Sequence, residues 1–268
     1  QVATGTIDQL YFVGYNNFGP IPNIISASIH SSNASTTLAK AGDTITLTFS
    51  ADEAVQTPTV TIAGHPASVA TTTGNTFEAS TTFTSADANG PVAFSVGVTS
   101  TLGDDSFVVS TTSDGTAVYA DFTPPTITAD SRVTNEPTPL IGGGASDTDS
   151  GLASVSAVVN GVAYTASTTG SAWSVLLPNL PEGLYAITAT ATDNAGNSAS
   201  SSATLLVDRT APVVTITSGP ANGSLTNQTS ATFAFTSDAP TTCALDGGSY
   251  VSCSGSFATT SLSAGTHL

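Results

Sequence analysis

The stretch that decides the fold is LYAITATATDNAGNSASSSATLLVDRTAP, residues 184–212. Apolar and small polar side chains alternate in its first half, so that Tyr185, Ile187 and Ala189 fall on one face. A period of two residues is typical of a half-buried β-strand. The polar turn DNAGN separates this strand from a second β-prone run. The stretch therefore predicts two neighbouring strands of an antiparallel sheet.

The same alternation recurs along the chain. TITLTFS (residues 44–50) and WSVLL (residues 173–177) each place three large apolar residues on one face. Asn160-Gly161 favours a type I′ hairpin turn, because both positions tolerate positive φ. No stretch keeps the 3.6-residue apolar period over the length of a helix. Many short strands joined by Gly, Pro, Asn and Asp turns predict an all-β chain of antiparallel β-sandwiches.

A repeated junction predicts where the sandwiches begin. ADFTPPTIT (120–128) and VDRTAPVVT (207–215) share an acidic residue, a polar bridge, a proline and a new strand. NNFGPIPNII (16–25) is a third junction of this kind. The intervals are close to the ~100 residues of an immunoglobulin-like sandwich. The predicted organisation is an N-terminal arm (1–22), two immunoglobulin-like domains (23–122 and 123–208) and a third, incomplete one (209–268).

Two stretches carry a resemblance to known families. Residues 184–212 resemble the end of a bacterial immunoglobulin-like repeat of large surface and adhesin proteins, where an F strand leads through DNAGN to a G strand and an acidic linker. CALDGGSYVSCSGSF (243–257) is similar to another group of extracellular tandem repeats. The resemblance covers most of residues 123–268, and the first domain matches only loosely. It implies an immunoglobulin-like fold, an extracellular structural or adhesive role, and no catalysis.

Composition restricts the partners. Only 8% of residues are charged, and three basic side chains stand against nineteen acidic ones, which gives a net charge of -16. Such a chain repels nucleic acid and anionic membranes. No apolar run reaches the ~18 residues of a membrane helix. The chain begins with Gln1 and lacks Met, so we expect a processed or excised product, and a removed signal peptide is one explanation.

The two ends suggest how copies assemble. DQLYFVGYNNFGPIP (8–22) is β-prone and occupies the position of a last strand, whereas LSAGTHL (262–268) stops about two strands before a sandwich would be complete. We therefore expect head-to-tail filaments formed by donor-strand complementation. Two sets of arm side chains would fill the acceptor groove in alternative registers: Ile7, Tyr11, Val13 and Tyr15, or Leu10 and Phe12.

Other functions remain open at this stage. Both ends would look the same in a fragment cut from a spacer of a large repetitive adhesin, and calcium would stiffen such a spacer. A third alternative is that a domain loop binds a host or cell-surface ligand such as a carbohydrate. No nucleophile elbow, HExxH motif or phosphate loop is present, so we expect no enzyme and no required cofactor.

The two cysteines predict a disulfide. A three-residue loop at residues 247–249 would pair Asp246 with Tyr250 and set Cys243 opposite Cys253, within disulfide reach. In a secreted chain such a pair is expected to be oxidised. Zinc and a reactive thiol are the alternatives, but zinc would need more ligands nearby, and the histidines are scattered.

Acidic loops near the domain ends offer oxygen ligands. SDTDSG (146–151), TDNAGN (192–197) and the linker residues Asp121 and Asp208 would supply several oxygens to Ca²⁺ if the loops meet in space. The alternative is that these residues simply form turns, which Asp and Asn favour through side-chain to backbone hydrogen bonds. The weak calcium candidates are Asp147, Asp149, Asp193 and Asp208.

Overall fold

The structure is a computed structural model that describes residues 21–103 and 108–268. The six side chains predicted for the donor arm precede residue 21 and lie outside the described residues. One compact unit ends at Val207, and a second spans Asp208–Leu268. The described residues form strands in mostly antiparallel sheets, which confirms the predicted all-β class. None of these residues belongs to a helix long and apolar enough to cross a membrane.

The first sandwich is built from two facing sheets and a small third one. Its strands are β1 (Ile24–Ser31), β2 (Leu38–Ala39), β3 (Thr44–Ala51), β4 (Thr59–Ile62), β5 (His65–Pro66), β6 (Ser68–Thr73), β7 (Thr76–Thr82), β8 (Gly90–Pro91), β9 (Phe94–Gly97) and β10 (Tyr119–Ala120). The sheet orders are β1-β3-β7-β6, β5-β4-β9 and β2-β10-β8. Ile45, Leu47 and Phe49 of β3 are fully buried between the sheets, as their alternation predicts.

The second sandwich has a four-stranded and a five-stranded sheet. Its strands are β11 (Thr126–Ile127), β12 (Arg132–Thr134), β13 (Leu140–Ser146), β14 (Leu152–Val159), β15 (Val162–Thr165), β16 (Ser167–Thr169), β17 (Ala172–Leu176), β18 (Gly183–Asp193) and β19 (Ser198–Val207). The orders are β11-β13-β17-β16 and β12-β19-β18-β14-β15. Asn160 and Gly161 join β14 to β15 with φ of 50° and 78°, which the predicted type I′ turn requires.

Trp173 anchors the segment that follows β11 to the core of this sandwich. Its indole is buried, and Nε1 donates a 2.8 Å hydrogen bond to the carbonyl oxygen of Thr128. Gly143 lies directly beneath that contact: a Cβ there would sit 2.0 Å from the Thr128 oxygen and 2.9 Å from Trp173 Nε1. The absence of a side chain at Gly143 therefore lets the backbone of residues 126–130 run close alongside β13.

Hydroxyl groups line part of the outer face of the five-stranded sheet, beside the exposed side chains of Val158 and Leu184. Thr188, Thr190 and Thr192 form a column along β18 and pair with serines of β19 on one side and with serines or Val158 of β14 on the other. The Oγ1 of Thr190 and the Oγ of Ser200 are 2.8 Å apart. This hydroxyl face points to solvent, and its Thr and Ser side chains carry no charge.

The second unit has little core. Its strands are β20 (Val214–Ser218), β21 (Ala231–Ser237), β22 (Thr241–Cys243), β23 (Val251–Cys253) and β24 (Ser256–Thr259), in the orders β20-β21-β24 and β22-β23. Phe235 and Thr259 are its two buried residues, whereas Val214 and Ile216 are 54% and 65% exposed. Burial of apolar area therefore contributes less to this unit than to either sandwich.

A disulfide between Cys243 and Cys253 cross-links the β22–β23 hairpin, with 5.9 Å between the two Cα atoms. The expected register is wrong: Cys243 lies opposite Val251, and Cys253 lies opposite Thr241. The reason is the loop, because Asp246 and Gly247 take positive φ and the amide of Asp246 donates to the carbonyl of Leu268 instead of pairing with Tyr250. The cysteines are thus diagonal neighbours.

Removing this cross-link should unfold the second unit selectively. Replacing both cysteines by alanine releases a loop whose closure is worth about 2–3 kcal/mol, and the small core has little to offset the loss. We expect hydrogen exchange of residues 231–259 to accelerate, while the fluorescence transition of Trp173 in the second sandwich stays unchanged. Equal exchange protection in both proteins would contradict the prediction.

Candidate metal centre at the joint between the sandwiches

Three carboxylates from three chain segments converge where the first sandwich meets the second. Asp121 directly follows β10, Asp147 follows β13, and Asp193 is the last residue of β18. β13 and β18 both end at the side of the second sandwich that faces the linker. One oxygen of each carboxylate lies within 4.8 Å of the others. We refer to these three residues as the aspartate cluster.

The backbone holds the aspartate cluster in place. Asp121 is 0% exposed, and its oxygens accept hydrogen bonds from the amides of Thr123 (2.9 Å) and Ser150 (3.0 Å). Asp193 is 2% exposed and accepts from the backbone and side-chain nitrogens of Asn197, both at 2.8 Å. These bonds fix the carboxylates but do not neutralise their charge.

The surroundings of Asp147 disfavour the charged form of its carboxyl group. Its Oδ1 accepts from the amide of Gly151 at 2.6 Å, and Oδ2 accepts no hydrogen bond from the described residues. Burial, followed by repulsion from Asp121 and Asp193, raises the pKa of the Asp147 carboxyl above its ordinary value. No basic side chain of the described residues forms an ion pair with the cluster. Among the described residues, the three carboxylates therefore lie together without an ion-paired partner.

The donor set fits a hard divalent cation. Carboxylate oxygens are the ligands that Ca²⁺ prefers, and Ca²⁺ completes its six to eight positions with carbonyls and water. Asp121, Asp147 and Asp193 would hold the ion, which would supply the missing positive charge. A cation with strict tetrahedral nitrogen or sulfur preferences does not suit this set, because no His or Cys belongs to it.

Only two of the four calcium candidates predicted from the sequence belong to the aspartate cluster. Asp147 and Asp193 belong to the aspartate cluster, whereas Asp149 and Asp208 do not. The Oδ2 of Asp149 accepts a 2.7 Å hydrogen bond from the side chain of Asn89, and Asp208 is exposed and accepts from the amide of Thr210. The turn chemistry that was the alternative explanation thus also operates, in the same loops.

Sequence reasoning missed the first sandwich's contribution to the joint. The Nδ2 of Asn33 donates to the carbonyl of Ala195 at 2.9 Å, and the Nζ of Lys40 donates to that of Gly196 at 2.6 Å. Both acceptors belong to the DNAGN turn, which also supplies Asp193. Asn33 lies in an Asn-Ala-Ser sequon, and no local pattern distinguishes a joint residue from a glycan acceptor.

When a chelator removes divalent cations, the aspartate cluster should make the second sandwich more stable at mildly acidic pH than at neutral pH. Because the pKa of Asp147 is higher in the folded than in the unfolded chain, its ionisation costs stability, and the cost is complete above the folded pKa. Lowering the pH from 7 toward the ordinary carboxyl range should therefore raise the free energy of unfolding of the second sandwich. Urea unfolding followed by Trp173 fluorescence measures this. Asp147→Asn should lack this gain in stability at lower pH. Identical dependence of stability on pH in the variant and the unmutated chain would contradict the prediction.

The sheet orders and the joint define a chain of tandem immunoglobulin-like sandwiches. Residues 116–209, which include the second sandwich and Asp121, match the family model described as "Bacterial Ig-like domain". This segment is where the sequence resemblance was most specific, so the predicted family is confirmed there. No curated protein sequence matches the chain significantly.

A comparison with solved structures finds several that are similar to this chain. A 1.5-MDa bacterial ice-binding adhesin structure is 20% identical, with 89% of this chain and 85% of that chain covered and a TM-score of 0.40. A tetra-tandem repeat from the extending region of a large adhesion protein is 19% identical, covering 91% and 67%, with a TM-score of 0.31. The fibronectin(III)-like modules of CbhA from Clostridium thermocellum are 19% identical, covering 68% and 93%, with a TM-score of 0.36.

Proposed function

We propose that this chain is a non-catalytic spacer segment of a repetitive extracellular surface protein, with a joint that is stiffened by a bound divalent cation. The observation that carries the proposal is the aspartate cluster, which draws one carboxylate from the linker and two from the loops of the next sandwich. The match of residues 116–209 to the bacterial Ig-like family and the disulfide support a surface location.

Hydrogen bonds across the joint would help to hold the two sandwiches in one relative orientation. Asn89 of the first sandwich donates to Asp149 of the second at 2.7 Å, and its Oδ1 accepts from the amide of Phe122 in the linker. The Nδ2 of Asn197 donates to the carbonyl of Asp121 at 2.9 Å. These polar bonds orient the two sandwiches, while a cation in the cluster would remove the repulsion that pushes the linker away from the loops.

A distance measurement tests the joint. Spin labels on cysteines introduced at Thr71 and Thr168, exposed strand positions of the two sandwiches, report the distribution of inter-sandwich distances in the full chain. We expect the distribution to be narrower in CaCl₂ than in EDTA. Asp147→Asn should be insensitive to the ion, while Asp130→Asn, which removes an exposed carboxylate of the second sandwich outside the cluster, serves as the matched control. Equal widths in both buffers for the unmutated chain would refute the stiffened joint.

A second candidate function is assembly of copies into a filament by strand donation. It is favoured by the small core of residues 208–268 and by the two-stranded β22–β23 sheet, whose counterpart in the second sandwich has five strands. The donated strand would be the arm at residues 1–22, whose aromatic and aliphatic side chains would fill the uncovered core. Other copies of the chain would then be its partners.

Electron microscopy separates the two functions. The purified chain and a variant lacking residues 1–22 are imaged at matched concentration. Filaments that disappear on deletion would support strand donation, whereas single particles in both samples would leave the spacer function. The joint measurement above is independent of this result, because it concerns the two sandwiches within one chain.

A further inference from the structure

We propose that Asp246 and His267 form a pH-dependent latch, which fastens residues 263–268 to the disulfide-closed loop between β22 and β23. The inference goes beyond the spacer function, because it concerns the second unit alone and requires neither a bound cation nor a donated strand. It depends on which atoms face the two ring nitrogens of His267.

Both ring nitrogens of His267 face oxygen atoms that accept hydrogen bonds. Nδ1 is 2.7 Å from the Oδ2 of Asp246, and Nε2 is 2.9 Å from the carbonyl oxygen of Ser263. A neutral imidazole carries one N–H group, so it donates to one of these oxygens and turns a lone pair toward the other. The imidazolium carries two N–H groups and donates to both. The docked ring position therefore favours the protonated form.

Asp246 also bonds to the backbone of the same segment. Its Oδ1 accepts from the amide of Leu268 at 2.7 Å, and its own amide donates to the carbonyl of Leu268 at 2.8 Å. Asp246 and Gly247 have positive φ, which turns the loop toward the segment. Three bonds thus join the loop to residues 263–268, and the charge of His267 strengthens one of them.

The segment has little other support. Residues 263–268 form no strand, and all of them except His267 are exposed. The amide of Leu262 donates to the carbonyl of Thr229, which anchors the chain just before the segment. Docking of the segment therefore depends on polar bonds rather than on buried apolar area, and loss of one ring proton has a large effect on it.

The surroundings shift both members of the pair toward their charged forms. The hydrogen bond to the Ser263 carbonyl, followed by the bond to Asp246, raises the pKa of His267 above its ordinary value. The bond from His267, followed by that from the Leu268 amide, lowers the pKa of Asp246. Asp208 and Asp238, the other acidic groups of this unit, accept from backbone amides. The remaining ionisable side chains of the unit do not hydrogen-bond to the His267 ring: Arg209 and Tyr250.

These directions define when the latch is closed. Because the His267 pKa is higher in the folded chain, its contribution is complete below the ordinary histidine pKa of about 6.5 and is lost as the pH rises through the folded pKa. The Asp246 contribution is lost only as the pH falls through its lowered pKa. The latch is therefore closed in mildly acidic solution and opens on the alkaline side. Opening frees a loop that carries the exposed Tyr250.

An NMR titration of the full chain, from mildly acidic to mildly alkaline pH, tests the latch. The ring signals of His267 and the amide signals of Gly247, Gly248 and Leu268 are followed together. We expect the ring to titrate above the ordinary value of about 6.5 and the amides to shift with the same midpoint. A ring that titrates at or below that value, or amides that do not shift with it, would overturn the proposal.

Variants assign the effect to the pair. Asp246→Asn suits the positive φ and keeps an acceptor for the Leu268 amide, but it removes the charge that faces the ring. We expect the His267 midpoint to fall in this variant. His267→Gln should abolish the shift of the loop amides with pH, whereas His30→Gln in β1 of the first sandwich should preserve it. An unchanged His267 midpoint in Asp246→Asn would count against the latch.

A further control separates Asp246 from a terminal carboxylate. Adding Gly-Ser-Gly after Leu268 moves that carboxylate away from the His267 ring, while the carboxylate of Asp246 stays in place. We expect the His267 midpoint of the extended chain to remain above the ordinary value. A fall to the ordinary value would assign the shift to the terminus and overturn the proposal.

Discussion

Gly143→Ala is expected to destabilise the second sandwich by about 2–4 kcal/mol. A Cβ at this position would lie 2.0 Å from the Thr128 carbonyl oxygen, which is backbone and cannot rotate away. Overpacking typically costs about 1–3 kcal/mol, and displacing the backbone of Thr128 also breaks the Trp173–Thr128 hydrogen bond, at about 1 kcal/mol. Urea unfolding followed by Trp173 fluorescence reports this sandwich alone, because the chain has one Trp.

The neighbouring glycine provides the control. A Cβ at Gly144 would meet the Oγ1 of Thr128 at 3.1 Å and the carbonyl of Ser171 at 3.7 Å. The first of these contacts is a side-chain hydroxyl that can shift by a few tenths of an ångström. Gly144→Ala should therefore cost much less than Gly143→Ala. Similar losses for the two variants would show that the close approach of the Thr128 backbone to Gly143 is not the cause.

Calcium is expected to stabilise the second sandwich by about 4 kcal/mol when its concentration exceeds the dissociation constant a thousandfold. For a domain of this size the shift in Tm is roughly 15 °C or more. The physical reason is that the ion supplies the positive charge that Asp121, Asp147 and Asp193 lack. Thermal unfolding followed by Trp173 fluorescence, in EDTA and across a calcium series, measures the effect.

The order of stability of Asp147→Asn and the unmutated chain should be opposite in EDTA and in calcium. In EDTA the variant should be more stable than the unmutated chain, because one repelling charge is removed and Oδ1 can still accept from Gly151. In calcium it should be less stable, because a charged ligand is lost. Asp130→Asn, at an exposed carboxylate of the same sandwich outside the cluster, should show neither change. A variant that is destabilised equally in both buffers would indicate a structural role without an ion.

Local pattern predicted the strands well. The alternation around Leu47 and Trp173 identified their buried faces, and Asn160-Gly161 identified its turn, because each depends on neighbours in sequence. The loop between the cysteines was harder, since the register of its hairpin depends on a contact with Leu268. A local rule for three-residue loops does not include that contact.

The candidate site was only partly predictable. Asp147 and Asp193 belong to loops that the sequence identifies as acidic, but their meeting with Asp121 follows from β13 and β18 ending at the same side of the sandwich. Asn33 and Lys40 contact the DNAGN turn from the other sandwich, more than 150 residues away in sequence. The docking of one sandwich on another is a tertiary property, and single residues in polar loops do not encode it in their immediate neighbours.

The hydroxyl face along Thr188, Thr190 and Thr192 affects the attraction between neighbouring copies of the chain when they are densely packed. Bringing two of these faces together exchanges hydroxyl–water hydrogen bonds for hydroxyl–hydroxyl ones, which yields little net free energy. The net charge of -16 adds repulsion between neighbours. A dense layer of these chains would therefore act as a polymer brush: hydrated, low in friction and resistant to lateral clumping.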